Sequence, residues 1–218
     1  MTLSLYAHPF SSYSQKALIA LYENDTAFVY RHLGEDPAAA VELKALWPLN
    51  RFPLLIDEGK PIMEASIIIE YLDEHHPGRS RMVPADAALA LEARFMDRCF
   101  DNYVMAPMQK VVGDRLREES QRDPHGVAEA RKQLVTAYGW LDGVMAGKTW
   151  AAGENFGLAD CAAAPSLFYA DWVEQIGDQF PRLKAWRAHL LSLPPMAQCV
   201  EEARPYRANF PPGAPERD

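Results

Sequence analysis

In "TLSLYA", Leu3 and Leu5 alternate with polar neighbours, the pattern of a half-buried strand. Within a dozen residues the period changes: Ala17, Leu18, Leu21 and Tyr22 of "QKALIALYE" recur at helical spacing. Carried along the chain, this reading predicts a strand over 2–7, a helix over 12–23 and a strand over 27–32. A short helix over 38–47, strands over 53–57 and 60–63, and a helix over 65–76 follow. The stretch "PLLIDEGKPIM" joins two apolar runs through Asp57, Glu58 and Gly59, a hairpin signal. A β-α-β start with a β-β-α finish makes residues 1–80 a compact α/β domain with a mixed sheet. "HHPGRSRMVP" then breaks the pattern at Pro77, Gly78 and Pro84, and the domain boundary is placed there.

After Ala85 every apolar pattern is helical, so residues 86–204 read as an all-helical domain. The amphipathic stretch "DAALALEARFMDRCFDNYVMAPMQKVVGDRLREES" contains Pro107, which predicts a kink. "GVAEARKQLVTAYGWLDGVMAG" ends at a glycine, as helices commonly do. "LADCAAAPSLFYADWVEQI" is apolar on all sides and predicts the buried central helix of this domain. "PRLKAWRAHLLSL" opens with proline at the favoured first-turn position. The tail 205–218 carries Pro205, Pro211, Pro212 and Pro215 and is expected on the surface or disordered.

Composition narrows the function classes. A formal charge of −8 on 218 residues argues against nucleic acid and acidic membrane surfaces as partners. No uninterrupted apolar run is long enough to span a bilayer, and the chain begins in a strand-like pattern without a leader. Cys99, Cys161 and Cys199 are widely spaced, form no metal-ligand pattern, and fit a reducing cytoplasm.

The stretch "HPFSSYSQ" is chemically the most pointed. It gathers Ser11, Ser12 and Ser14 at the start of a helix, where free backbone N–H groups and partial positive charge favour an anion. Ser12 and Gln15 have the spacing of a capping box, which gives Ser12 a structural task and leaves Ser11 free for a ligand. The alternative is that all three hydroxyls only cap the helix. No C-x-x-C stands at this turn, so thiol–disulfide chemistry is not expected. Without a G-x-S-x-G, Ser11 is not expected to be a hydrolase nucleophile, and His8 reads as a partly exposed turn residue.

Three stretches in this order, "SSYSQKALIAL", "WPLNRFPLLID" and "MEASIIIEYLDE", together with "GLADCAAAP", resemble the cytosolic glutathione S-transferase family of the serine type. The resemblance covers nearly the whole chain. It implies a thioredoxin-like first domain, a helical second domain, and glutathione as cosubstrate with no metal or other cofactor. The anion at the first turn would then be the glutathione thiolate, with Ser11 as its hydroxyl donor. A thiol of ordinary pKa, about 8.5, is shifted down by a helix N-terminus and by hydrogen bonds to the charged form.

The same resemblance implies that Pro53 is cis and that the backbone of Phe52 pairs with the cysteinyl part of glutathione, like an added strand. Arg51 would hold the glycine carboxylate; a solvated surface arginine is the other reading. Glu64 would pair with the γ-glutamyl ammonium and the Ala65 N–H with its carboxylate. The family usually has serine at position 65, so Ser66 is left as a substitute hydroxyl, or as a helix cap with Glu64. Gly157 likewise replaces the Ser or Thr that usually caps the central helix, with Asp160 as its folding partner, so a weaker cap is expected. Phe100, Tyr103, Met105, Met108, Tyr169 and Trp172 are candidates for an apolar electrophile pocket, or else ordinary core. A homodimer in the cytoplasm is implied. A glutathione-dependent isomerase of the zeta type remains open, although its cysteine and W-R-V-R core are missing. So does a non-catalytic glutathione or hydrophobic-ligand binder.

Overall fold

The computed structural model describes residues 3–218, so the predicted start of the first strand at position 2 lies outside them. The first unit runs β1 (Ser4–Ala7), α1 (Ser12–Glu23), β2 (Val29–His32), α2 (Pro37–Leu46), β3 (Leu54–Asp57), β4 (Lys60–Met63) and α3 (Ala65–His75). The strands form one mixed sheet in the order β2-β1-β3-β4, with β1 and β2 parallel and the other pairs antiparallel. One face packs on α1 and α3 through Leu5, Leu55 and Ile62; α2 covers the other through Ala39 and Leu43, against Tyr6 and Leu54. The hairpin turns through Glu58 and Gly59, both at positive φ (50° and 83°), the backbone that a two-residue turn between twisted strands demands.

The second unit consists of α4 (Ala87–Cys99), α5 (Ala106–Arg115), α6 (Pro124–Val144), α7 (Leu158–Val173), α8 (Pro181–Ser192) and α9 (Pro194–Ala203). Every residue of α7 is buried, as the unbroken apolar pattern predicts. Helix α1 packs directly on α7, which joins the two units through a continuous core.

Three features depart from the sequence reading. The expected kink at Pro107 takes the form of a π-helical segment, Phe100–Met105, between α4 and α5; the Ala106 N–H donates to the Asp101 carbonyl five residues back. The wider turn relieves the clash and missing donor that proline brings to an α-helix. Helix α9 is an element that the prolines at 194 and 195 concealed; they occupy its first turn. The tail is also packed rather than loose. After a 3₁₀ turn (Arg204–Asn209), Phe210 is buried against Tyr169, Trp172 and Phe10, and Arg217 bonds to Asp171 of α7.

Gly157 turns out to be a requirement rather than a weak cap. A β-carbon there would lie 2.7 Å from the Met82 carbonyl oxygen, which accepts the Leu158 N–H at 2.8 Å. Asp160 completes the start of α7 by accepting from the N–H groups of Ala151 and Gly157. Gly157→Ser, although it adds a good capping residue, is therefore expected to lower stability by about 1–3 kcal/mol through overpacking. Chemical denaturation of the two proteins checks this.

Candidate active site

Ser11 is the N-cap of α1, with extended backbone (φ −95°, ψ 123°) and its Oγ accepting from the Ser14 N–H at 3.3 Å. A hydroxyl that accepts one bond keeps its own proton for another acceptor. The predicted capping box of Ser12 and Gln15 does not form. The Gln15 side chain is fully buried and donates instead to the Pro9 carbonyl (2.9 Å) and the Tyr169 hydroxyl (3.1 Å), pinning the turn to α7. Ser12 is buried and accepts from Gln109 at 3.4 Å, and Ser14 Oγ closes the turn by accepting from the His8 N–H. Capping thus falls to Ser11, one residue earlier than the sequence spacing suggested. His8 is half-buried against Tyr206, and burial holds its imidazole below the ordinary range.

Ser11 opens into a cavity of about 300 Å³. Phe10, Phe52, Met108 and Tyr169 line its apolar sides, and Phe210 with Pro211 closes the end contributed by the tail. Of the six aromatic and methionine candidates, Met108 and Tyr169 face this space. Trp172 stands behind Phe210, ring centroids 5.0 Å apart. Phe100 and Met105 are core: both are fully buried, and Phe100 packs on Trp186 of α8. Tyr103 is 61% exposed and is not part of the cavity wall. Phe10, Gln109 and Phe210 are wall residues that the sequence reading missed; only an isolated aromatic in a proline-rich tail could have hinted at the last.

The other predicted residues gather at neighbouring loop and helix ends. The Phe52–Pro53 peptide is cis, with Pro53 buried and Phe52 partly exposed. Arg51 is exposed and forms no ion pair among the described residues. Glu64 immediately precedes α3 at positive φ (70°), and its carboxylate makes no capping bond, so among the described residues the Ala65 N–H at the helix start has no side-chain cap. Burial pushes the Tyr13 phenol up to about 12; the carboxylates of Asp101 and Glu64 add to this, and Arg98 and Arg51 oppose it. Tyr13 therefore stays protonated at neutral pH, and these four charges converge on the first turn of α1.

The Ser66 hydroxyl is engaged inside the protein. It is buried, accepts from Lys16 Nζ (2.9 Å) and Arg98 Nη2, and donates to Asp97 (2.9 Å). Lys16 is fully buried on α1 and pairs with Asp97 at 2.5 Å and Asp101 at 2.9 Å. The cluster ties α1, α3, the end of α4 and the π-helical segment together, with two cations against two carboxylates. The sequence held one signal for it: a lysine inside the buried run of α1, facing carboxylates four residues apart on another helix.

Comparison with known proteins agrees with this architecture. The family model "Glutathione S-transferase, N-terminal domain" matches residues 5–80, and "Glutathione S-transferase, C-terminal domain" matches residues 101–194. A "Probable glutathione S-transferase" of Nicotiana tabacum is 30% identical over 215 residues, covering 92% of this chain and 91% of that protein. "Glutathione S-transferase U25" of Arabidopsis thaliana is 26% identical over 181 residues, 81% of this chain and 78% of that one. Among solved structures, a glutathione S-transferase from Methylobacillus flagellatus with gsh bound superposes with a TM-score of 0.81 at 22% identity, covering 91% of this chain and 98% of that one. One from Methylobacterium radiotolerans, in complex with glutathione sulfonate, gives 0.79 at 24% identity, covering 92% and 95%. These two share the fold.

Proposed function

The chain belongs to the glutathione S-transferase family and is a transferase, and on that premise we propose that Ser11 Oγ–H donates to the sulfur of bound glutathione and holds it as thiolate. The observation that carries this reading is the position of Ser11. Its hydroxyl proton has no acceptor among the described residues, it stands at the N-terminus of α1, and it opens into the apolar cavity. The helix end and the hydroxyl both favour the charged form of the thiol, so the thiol proton leaves to solvent on binding. The sulfur then attacks an electrophilic carbon held over it; the carbon–sulfur bond forms and the leaving group departs with its electron pair. Proximity in the cavity supplies the rest of the rate.

Glutathione in this reading lies along the predicted residues. The Phe52 backbone pairs with the cysteinyl segment, Arg51 takes the glycine carboxylate, and Glu64 with the Ala65 N–H takes the γ-glutamyl end. The electrophile occupies the space between Phe10, Met108, Tyr169 and Phe210. Detoxification of apolar electrophiles in the cytoplasm fits the three free, buried cysteines. Among the described residues no helix is long and apolar enough to cross a membrane. A homodimer belongs to the same reading: α3 and α4 leave Ile67, Leu91 and Phe95 more than half exposed.

Turnover of an activated chloroarene with glutathione tests the proposal. Conjugation by wild type and its near-loss in Ser11→Ala are expected, whereas equal rates in both proteins would overturn the role of Ser11. Phe210→Ala removes one wall of the electrophile space and none of the glutathione contacts. The KM for an apolar electrophile is expected to rise about tenfold, the equivalent of roughly 1.4 kcal/mol of lost burial. The KM for glutathione stays within a factor of about two, and initial-rate kinetics with each substrate varied in turn separates the two.

A further inference from the structure

A second cavity, of about 290 Å³, lies between β2, the loop that follows it and the C-terminal end of α9. It shares no lining residue with the cavity at Ser11. Two prolines and the rings of Tyr30, His32 and Tyr206 form its walls; Glu35 and Glu202 are its charged groups, and no lysine or arginine lines it. The three rings stand in series. The His32 centroid is 5.5 Å from that of Tyr30 and 5.8 Å from that of Tyr206, with the planes tilted by 32° and 33°.

Hydrogen bonding fixes the protonation of this wall. Tyr206 donates its hydroxyl proton to Glu35 at 2.6 Å, so its oxygen accepts from His32 Nε2 at 3.2 Å. The Gly34 N–H donates to His32 Nδ1 at 3.1 Å, which makes His32 an uncharged imidazole with its proton on Nε2. The relay therefore ends on a carboxylate with no full positive charge beside it, and the bond from Tyr206 holds the Glu35 carboxyl below its usual range. Glu202 is oriented by two neutral donors, Tyr22 at 2.8 Å and Gln198 at 3.0 Å, and pairs with no cation among the described residues. The Tyr30 hydroxyl is shielded from solvent and has no hydrogen-bond partner among the described residues. Burial, and then the charge on Glu202, push its phenol far up, so it remains a hydroxyl.

We propose that this cavity binds a small organic cation bearing a primary ammonium group, at a site separate from the cavity at Ser11. The chemistry of the lining selects that class. An anion is repelled by both carboxylates, and a neutral apolar molecule leaves them without a counter-charge. Among the described residues no group of three or more His, Cys, Asp and Glu side chains is placed to hold a metal ion. An ammonium head has three N–H donors for Glu35, Glu202 and the Tyr30 oxygen, while its alkyl body lies on aromatic faces that themselves attract a cation. The side chains of Glu35 and Glu202 are already oriented by their neutral donors, so little freedom is lost on binding. A formal charge of −8 on the whole chain favours the approach of such a ligand.

Titration calorimetry of the full chain with butylammonium chloride, tetramethylammonium chloride and 1-butanol, at matched ionic strength, tests this. Butylammonium is expected to bind about tenfold or more tightly than 1-butanol, which has the same alkyl chain without the charge. Tetramethylammonium meets the rings but donates no hydrogen bond, and its affinity is expected to fall between the two. Glu202→Gln and Glu35→Gln each keep the shape of the side chain and remove one charge. Each is expected to lower butylammonium affinity about tenfold and to leave 1-butanol within about twofold of wild type. Glu35 is an exposed position, so Glu35→Gln carries the test should Glu202→Gln fail to fold. Butylammonium binding no tighter than 1-butanol, binding unchanged in the variants, or binding weaker than that of tetramethylammonium would overturn the proposal.

Discussion

Lys16→Met is expected to be the most destabilising single change in this protein. It leaves the carboxylates of Asp97 and Asp101 buried beside Ser66 with only Arg98 as counter-charge. Removing one partner from a buried charge cluster costs about 3–5 kcal/mol, because the remaining charge stays desolvated. For a chain of this size that corresponds to a fall in Tm of roughly 10 °C. Thermal and urea unfolding measure it directly. Because the cluster ties α1, α3 and the α4–π junction, both units should lose stability together rather than one melting before the other. The charge-balanced pair Lys16→Met with Asp101→Asn is expected to recover a substantial part of the loss. A Lys16→Met protein within about 1 kcal/mol of wild type would mean that the cluster is hydrated and that Lys16 is not holding it.

The second large effect falls on chemistry rather than folding. Ser11→Ala removes a capping bond that is long, 3.3 Å, and should cost about 1 kcal/mol of stability. Its effect on turnover is larger. Loss of one pre-placed donor to a developing or bound anion lowers rates by about 10²-fold or more, and steady-state kcat/KM reports it. Ser11→Thr, which keeps a hydroxyl at the N-cap, is expected to retain a good part of the activity. Loss from Ser11→Ala by unfolding is distinguishable, because glutathione affinity should stay within about tenfold of wild type once the helix is intact.

Much of the fold was legible because period and punctuation agreed. The run Ser12–Glu23 was readable to the residue: polar hydroxyls stood at its start and a helical stripe followed. The β3–β4 hairpin was readable because Glu58-Gly59 can adopt the backbone its turn needs. The prolines gave mixed guidance. Pro107 announced an irregularity but not that it would be a π-helical segment. Pro194 and Pro195 open α9, a helix that the sequence reading did not include. Phe210 lay in a tail with a loop-like composition, and only packing against Tyr169 and Trp172 reveals its place.

The site divides in the same way. Ser11, Phe52, Pro53, Glu64 and Ala65 stand in short local motifs, so the sequence could single them out as candidates. The assignment of the cap to Ser12 failed because the partner it required, Gln15, is drawn to Pro9 and Tyr169, 154 residues away in the case of the tyrosine. Lys16, Ser66, Asp97, Arg98 and Asp101 come from three separate stretches, and beyond a lysine inside an apolar run and two carboxylates four residues apart nothing local announces their meeting. Phe100 and Met105 bound the π-helical segment and are buried in the core, whereas Met108 follows in α5 and lines the cavity, a division that helical spacing alone does not announce.

The central claim is that this turn holds glutathione as a thiolate. Ultraviolet absorbance of the bound thiolate, followed against pH in wild type and Ser11→Ala, tests it most directly. Thiolate is expected in wild type at pH values well below the free thiol's pKa of about 8.5, with a return toward that value in Ser11→Ala. Bound glutathione that titrates like the free thiol in wild type would contradict it.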